Sequence, residues 1–214
     1  MSVKAQLEQA KADFAAKVPV EAQAEILRHV QELQQTGIVF GLKAGDKAPN
    51  FTLADPFGEQ VTLYDELVHG PVVLIFYRGS WCPFCNIQLR GWQQTLPEIR
   101  KRGARLIAVS PQSPDHALFQ KEKEELAFPV LSDPDGQVAE SYNLLFELPE
   151  YLRNTYQNVL HRDLAVFNRT GRWILPVPAT YIIDKEERVR FAHADPDFMK
   201  RAEPREIVRQ LEKL

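Results

Sequence analysis

The sequence predicts an α/β fold, a central mixed β-sheet with helices on both faces, and three observations carry it. Residues 72–77 and 105–110 are apolar runs that read as strands buried on both faces. A helix-like segment joins them, so the unit is expected to be parallel and right-handed. Residues 179–184 and 188–192 flank the turn residues Lys185-Glu186-Glu187 and read as a hairpin, which makes the sheet mixed. With 214 residues, 44% hydrophobic and 26% charged, the chain can bury one full core but not a second complete domain.

The elements follow in order. Val3, Leu7, Ala10 and Phe14 form one apolar stripe and Ala22, Ile26, Val30 and Leu33 a second, predicting two helices split at Val18-Pro19 and stopped at Gly37. Such a helical pair covers the surface of its own domain or forms a dimer interface, and the sequence leaves both open. FTLADPFGEQVTL predicts two short strands around an Asp55-Pro56-Phe57-Gly58 turn. The central strand comes next, then a helix starting near Cys82 with Pro83 pre-shaped for its first turn; Pro97 removes a backbone donor and should kink it after Leu96. After the second strand, 113–125 predicts a surface helix capped by Ser113 or Asp115, with KEKEE as a solvated face and His116 an exposed histidine. Residues 128–132 read as a strand, 133–136 as a turn and 138–142 as a helix. The stretch 144–176 is the least regular. It carries Phe146, Tyr151, Tyr156, Phe167 and Trp173, with a helix expected over 150–160 and the aromatics packing near the thiol site as core or as a substrate wall. Asp184 serves the hairpin turn, and 204–214 closes the chain as a helix.

A net charge of −3 with no basic cluster argues against nucleic-acid or anionic-membrane partners. No apolar run approaches the roughly 18 residues of a membrane span, and MSVKAQLEQAKADF has neither the apolar core nor the cleavage site of a signal peptide, so a cytoplasmic location is expected. The sequons at Asn50 and Asn168 then have no meaning as glycan sites.

Both cysteines lie in PVVLIFYRGSWCPFCNIQLRGW, where the central strand hands over to a helix. Unpaired N–H groups and the dipole at a helix N-terminus favour a thiolate, the nucleophilic form. At an ordinary pKa near 8.5 only about 3% of a thiol is ionised at pH 7. The dipole supplies roughly 0.3–1 kcal/mol, under one pKa unit, so Arg78 and the neighbouring thiol must supply the rest. Cys82 and Cys85 are three apart, on one helix face and within reach of a disulfide after a small adjustment. A zinc site would need further ligands, but His29, His69, His116, His161 and His193 are isolated and there is no second cysteine pair. The spacing therefore reads as a redox pair rather than as a metal half-site or two inert core thiols.

SWCPFC at the end of an apolar strand looks like a thioredoxin-fold active site, and FYRGSWCPFC also resembles the active-site stretch of peroxiredoxins. DKAPNFTL, AVSPQSPD, FPVLSDPDG and PATYIID extend the likeness from about Asp46 to the C-terminus. Together they make the chain similar to the C-x-x-C branch of the alkyl hydroperoxide reductase and thiol-specific antioxidant family. The resemblance implies a thioredoxin-like domain over 46–214 preceded by a helical extension over 1–45. It puts Cys85 at the peroxidatic position, Cys82 where the family has a peroxide-orienting threonine, and Arg78 where it has a proline. The family's catalytic arginine beside PATYIID is missing. Pro178 matches the cis-proline that faces the cysteines in thioredoxin-like proteins, and Arg78, Trp81, Pro178 and Thr180 become the candidate substrate-binding or activating residues.

Two mechanisms stay open. In a thiol peroxidase, Cys85 attacks hydrogen peroxide or an organic hydroperoxide, its sulfenic acid condenses with Cys82, and thioredoxin or another dithiol reduces the disulfide. In a thiol–disulfide oxidoreductase, Cys82 attacks a disulfide and Cys85 resolves it. Neither needs a cofactor or a metal, and a homodimer is a possible assembly.

Overall fold

The computed structural model describes residues 2–214. The chain opens with two helices, α1 (Val3–Lys17) and α2 (Val20–Gln35), broken at Val18 and Pro19 as the stripes predict. The Ser2 hydroxyl caps α1 by accepting from the Ala5 N–H. A hairpin of β1 (Thr52–Ala54) and β2 (Gln60–Thr62) follows, then α3 (Leu63–His69). The central sheet is built from β3 (Val72–Phe76), β4 (Arg105–Ser110), β5 (Val130–Ser132), β8 (Ala179–Ile183) and β9 (Val189–Ala194), in the order β5-β4-β3-β8-β9. β3, β4 and β5 run parallel, whereas β8 and β9 are antiparallel to their neighbours, so the sheet is mixed.

Every residue of β3 is buried, and its alternation sorts the core into two layers. Val73 and Ile75 face a cluster holding α4 (Pro83–Lys101), α9 (Pro204–Leu211) and the apolar stripes of α1 and α2. Val72, Leu74 and Phe76 face the opposite cluster, which includes Leu63 and Leu67 of α3 and Val138 and Ala139 of α6 (Gln137–Ser141). α1 packs on α4, and α2 on α7 (Glu150–Asn154) and the turn that follows, so the N-terminal pair covers its own domain. α5 (Pro114–Lys123) starts one residue after Ser113, as expected, but His116 is half-buried against Phe167 at 4.7 Å rather than exposed.

Three details depart from the sequence reading. The irregular 144–176 stretch contains its own antiparallel pair, β6 (Leu145–Glu147) and β7 (Ile174–Pro176), and α8 (Leu164–Asn168). The helix expected over 150–160 is α7 followed by one π turn, Thr155–Val159. α4 includes Pro97, with Leu96 and Ile99 on either side of it buried in the core. No peptide bond among the described residues is cis, which corrects the expectation at Pro178. Val177 donates to the Leu144 carbonyl at 2.8 Å and extends the β6–β7 pairing, and its bond to Pro178 has the ordinary trans form, preferred by about 0.5–1 kcal/mol.

Candidate active site

The site lies beyond the carboxyl end of β3, where a strand feeds a helix in an open α/β sheet. The loop from Tyr77 to Cys82 is held by a buried polar network. Tyr77 donates its hydroxyl proton to Gln120 Oε1 (2.9 Å), and Gln112 Nε2 donates to both (2.9 and 2.8 Å). Gln112 Oε1 accepts from the Ser80 N–H (2.9 Å), while Asn86 Nδ2 donates to the Ser80 carbonyl and Asn86 Oδ1 accepts from Gln120 Nε2 (each 2.8 Å). Such a network is satisfied on all sides and so rigidifies the loop. Gly79 adopts φ +148° with Trp81 Nε1 lying 2.5 Å from where a Cβ would stand, so only glycine lets the indole fold back.

Cys82 is the N-cap of α4, and its carbonyl accepts from the Cys85 and Asn86 N–H groups (both 3.1 Å). Both thiols are free and buried. Burial pushes the Cys82 thiol well up, and its hydrogen bond to Cys85 keeps the proton there. Cys85 has the opposite balance. Burial alone would raise it, but the Cys82 S–H bond and the charges of Arg201 and Arg78 hold it well below the ordinary thiol range. Geometry makes the same assignment: Arg201 Nη2 lies 3.5 Å from Cys85 Sγ, with Nη1 donating to Gln88 Oε1 and Nε to the Phe198 carbonyl, both at 2.7 Å. The charges and the contact thus favour the thiolate form at Cys85 over Cys82.

Arg78 is only 4% exposed and has no carboxylate partner among the described residues. Its guanidinium stacks 4.8 Å from the Trp81 ring centre and 4.1 Å from that of Phe198, and Nη2 donates to the Tyr156 hydroxyl. A buried cation is costly without a counter-charge, and the nearby groups able to carry negative charge are Tyr156, Cys82 and Cys85.

A cavity of 210 Å³ opens on Cys82. Its walls are mainly apolar, from Phe14, Val18 and Ile26 at the N-terminus, Tyr156 and Leu160 in and after the π turn, and Phe198, with Arg162 also lining it. Arg78 and Trp81 line it as expected. Pro178 lines a neighbouring 20 Å³ cavity with Arg78, Tyr156 and His29. Thr180 lies inside β8 opposite Ile75 and His193 and lines neither cavity. Tyr156 stands beside Cys82 as one of the aromatics expected near the thiols, whereas Arg201, Gln112 and Gln120 were not expected as site residues, because none lies in the strand–helix stretch that holds the cysteines. Among the described residues no group of three or more His, Cys, Asp or Glu side chains converges as a metal site.

A thioredoxin-type sheet with a dithiol at the head of the helix after its central strand, one sulfur in contact with an arginine, defines a thiol-based oxidoreductase. The match of residues 44–192 to the AhpC/TSA family model makes the assignment specific: the chain belongs to the AhpC/TSA family. It is 36% identical to peroxiredoxin Bcp of Escherichia coli over 132 residues, 61% of this chain and 82% of that protein. A putative peroxiredoxin of Mycobacterium tuberculosis is 32% identical over 134 residues, 63% of this chain and 83% of the other. The crystal structure of peroxidoxin BcpB from M. tuberculosis shares the fold, with a TM-score of 0.63 at 21% identity over 81% of this chain and 98% of that one. The thiol-disulfide oxidoreductase ResA of Bacillus thuringiensis is 24% identical over 149 residues, 69% of this chain and 68% of that one. The matched family segment starts after the N-terminal helices, which contribute Phe14, Val18 and Ile26 to the cavity.

Proposed function

We propose that this chain reduces hydroperoxides with Cys85 as the attacking thiolate and Cys82 as the resolving thiol. Membership of a peroxidase family makes it a thiol-dependent oxidoreductase; the assignment of roles rests on one observation, the contact of Arg201 with Cys85. A nucleophile must be ionised before it attacks, and the charges favour ionisation at Cys85. The thiolate attacks one peroxide oxygen, the O–O bond breaks, and Cys85 becomes a sulfenic acid. Cys82, hydrogen-bonded to Cys85, then condenses with it, expelling water and leaving a disulfide. Thioredoxin or a similar dithiol returns both sulfurs to the starting state by attacking Cys82, the sulfur that lines the cavity. The reducing cytoplasm supplies such dithiols.

Arg201 and Arg78 take the place of the family arginine missing beside PATYIID. Both arginines face the sulfurs without a carboxylate to neutralise them, which suits a site built around one negative charge.

The competing reading, disulfide exchange with Cys82 as nucleophile, needs the lower pKa on Cys82, and the charges are arranged the other way round. Stopped-flow oxidation followed by Trp81 and Trp92 fluorescence separates the two. Cys82→Ser should consume one equivalent of peroxide and give a trappable sulfenate, at a rate far above a free thiolate, and Cys85→Ser should not. The reverse pattern, with fast exchange against a mixed disulfide, would hand the role to Cys82.

A further inference from the structure

Cleaving an O–O bond expels hydroxide or an alkoxide, a poor leaving group unless a proton reaches it as the bond breaks. The side chains lining the 210 Å³ cavity offer few sources. Arg78, Trp81 and Arg162 hold their protons too tightly to give them up, and the Cys82 proton is engaged by Cys85. Tyr156 remains. Its hydroxyl accepts from Arg78 Nη2, and its own proton is given to no acceptor among the described residues. The ring stands edge-on to Trp81 at 5.6 Å and is 3% exposed.

The π turn sets this position. One-turn π bulges recur at functional sites because the extra residue re-aims a side chain. Here Thr155 anchors the turn to the N-terminal pair through its bond to Glu25, and Tyr156 is the next residue.

We infer that Tyr156 is the catalytic acid of this site, giving its phenolic proton to the leaving oxygen of the hydroperoxide, an inference that rests on the peroxidase reading above. The Cys85 sulfur forms an S–O bond with the outer peroxide oxygen while the O–O bond breaks. The inner oxygen takes the Tyr156 proton and leaves as an alcohol, or as water when the substrate is hydrogen peroxide. The products are the Cys85 sulfenic acid and a tyrosinate paired with Arg78, and a water molecule restores the tyrosine proton, releasing hydroxide. Burial raises the Tyr156 pKa, so the phenol holds its proton until the leaving oxygen becomes the stronger base.

The test varies the leaving group. Single-turnover oxidation of the reduced protein is measured with hydrogen peroxide, tert-butyl hydroperoxide and peracetic acid, whose leaving acetate needs no proton. In the wild type the rate should vary little between them. Tyr156→Phe should lose about 100-fold with the first two, within the range of general-acid catalysis, and less than about threefold with peracetic acid. The thiolate absorbance at 240 nm should be unchanged. An equal loss with all three, or no loss, overturns the inference. If the phenylalanine variant does not fold, the wild-type series decides alone: a dependence on leaving-group basicity as steep as that of a free thiolate overturns the inference, and a shallow one supports it. Wild-type rates at the free-thiolate level with every substrate would instead remove the peroxidase reading itself.

Discussion

Arg201 reaches Cys85 from a coil 116 residues further along the chain, and its removal has a pH signature. Arg201→Met should let the Cys85 pKa rise toward the ordinary thiol value of about 8.5. A rise of one unit is about 1.4 kcal/mol and costs about tenfold in thiolate wherever the pH lies below both values. The peroxide rate should therefore fall about tenfold in acid and recover by about pH 9.5, where either form is ionised. A loss of the same size at every pH would mean that Arg201 positions the peroxide instead of ionising the sulfur. This residue also marks the limit of sequence reading at this scale. Cys82, Cys85, Arg78 and Trp81 were legible because they sit within eight positions of each other on one strand–helix junction. Arg201, Gln112 and Gln120 lie outside that junction; the turn after β4 and α5 bring the two glutamines to Tyr77 and Ser80, and the coil after β9 brings Arg201 to Cys85.

The N-terminal pair packs along α4, most tightly at Gly91. A Cβ on Gly91 of α4 would stand 2.2 Å from Val3 Cγ2 of α1, too close for either to remain in place. Gly91→Ala should cost about 1–3 kcal/mol, the usual range for overpacking, partly offset by the better helix propensity of alanine. The displacement should also loosen Phe14 and Val18 over Cys82. Alkylation of Cys82 by a bulky maleimide should therefore quicken as thermal stability falls; lower stability with unchanged alkylation would show that α1 does not shield the sulfur. The pairing itself was legible. Stripes at helical spacing gave both helices, and alternation with turn residues gave the β1–β2 hairpin. Three-residue strands such as β6 and β7 were not, because their pairing partners lie some thirty residues apart and Pro176 masks the second. The π turn was hidden too, since its sequence is that of an ordinary helix.

Across the molecule, oxidation removes the negative charge around which two arginines are arranged. In the dithiol form Cys85 has a pKa below that of the unfolded chain, so it adds stability that is fully present above about pH 8.5 and is lost as the pH falls through its folded value. Cys82 is raised, so its protonated thiol withdraws stability only above about pH 8.5, where the unfolded thiol ionises. Between the folded value of Cys85 and about pH 8.5 the dithiol form should therefore gain about 1.4 kcal/mol of stability per pH unit relative to the disulfide form, which has no thiol to titrate. All other groups are common to both forms and cancel to first order. The difference in unfolding free energy between reduced and oxidised protein, measured by denaturant titration at pH 6 and pH 8, should shift toward the reduced form as the pH rises. The same linkage makes the disulfide easier to reduce by an ordinary dithiol as the pH rises over this range, because forming the thiol–thiolate pair takes up one proton while the dithiol releases two. A difference that stays constant from pH 6 to pH 8 would show that Cys85 does not ionise below the ordinary thiol range in the folded protein, and the division of roles between the two sulfurs would fall with it.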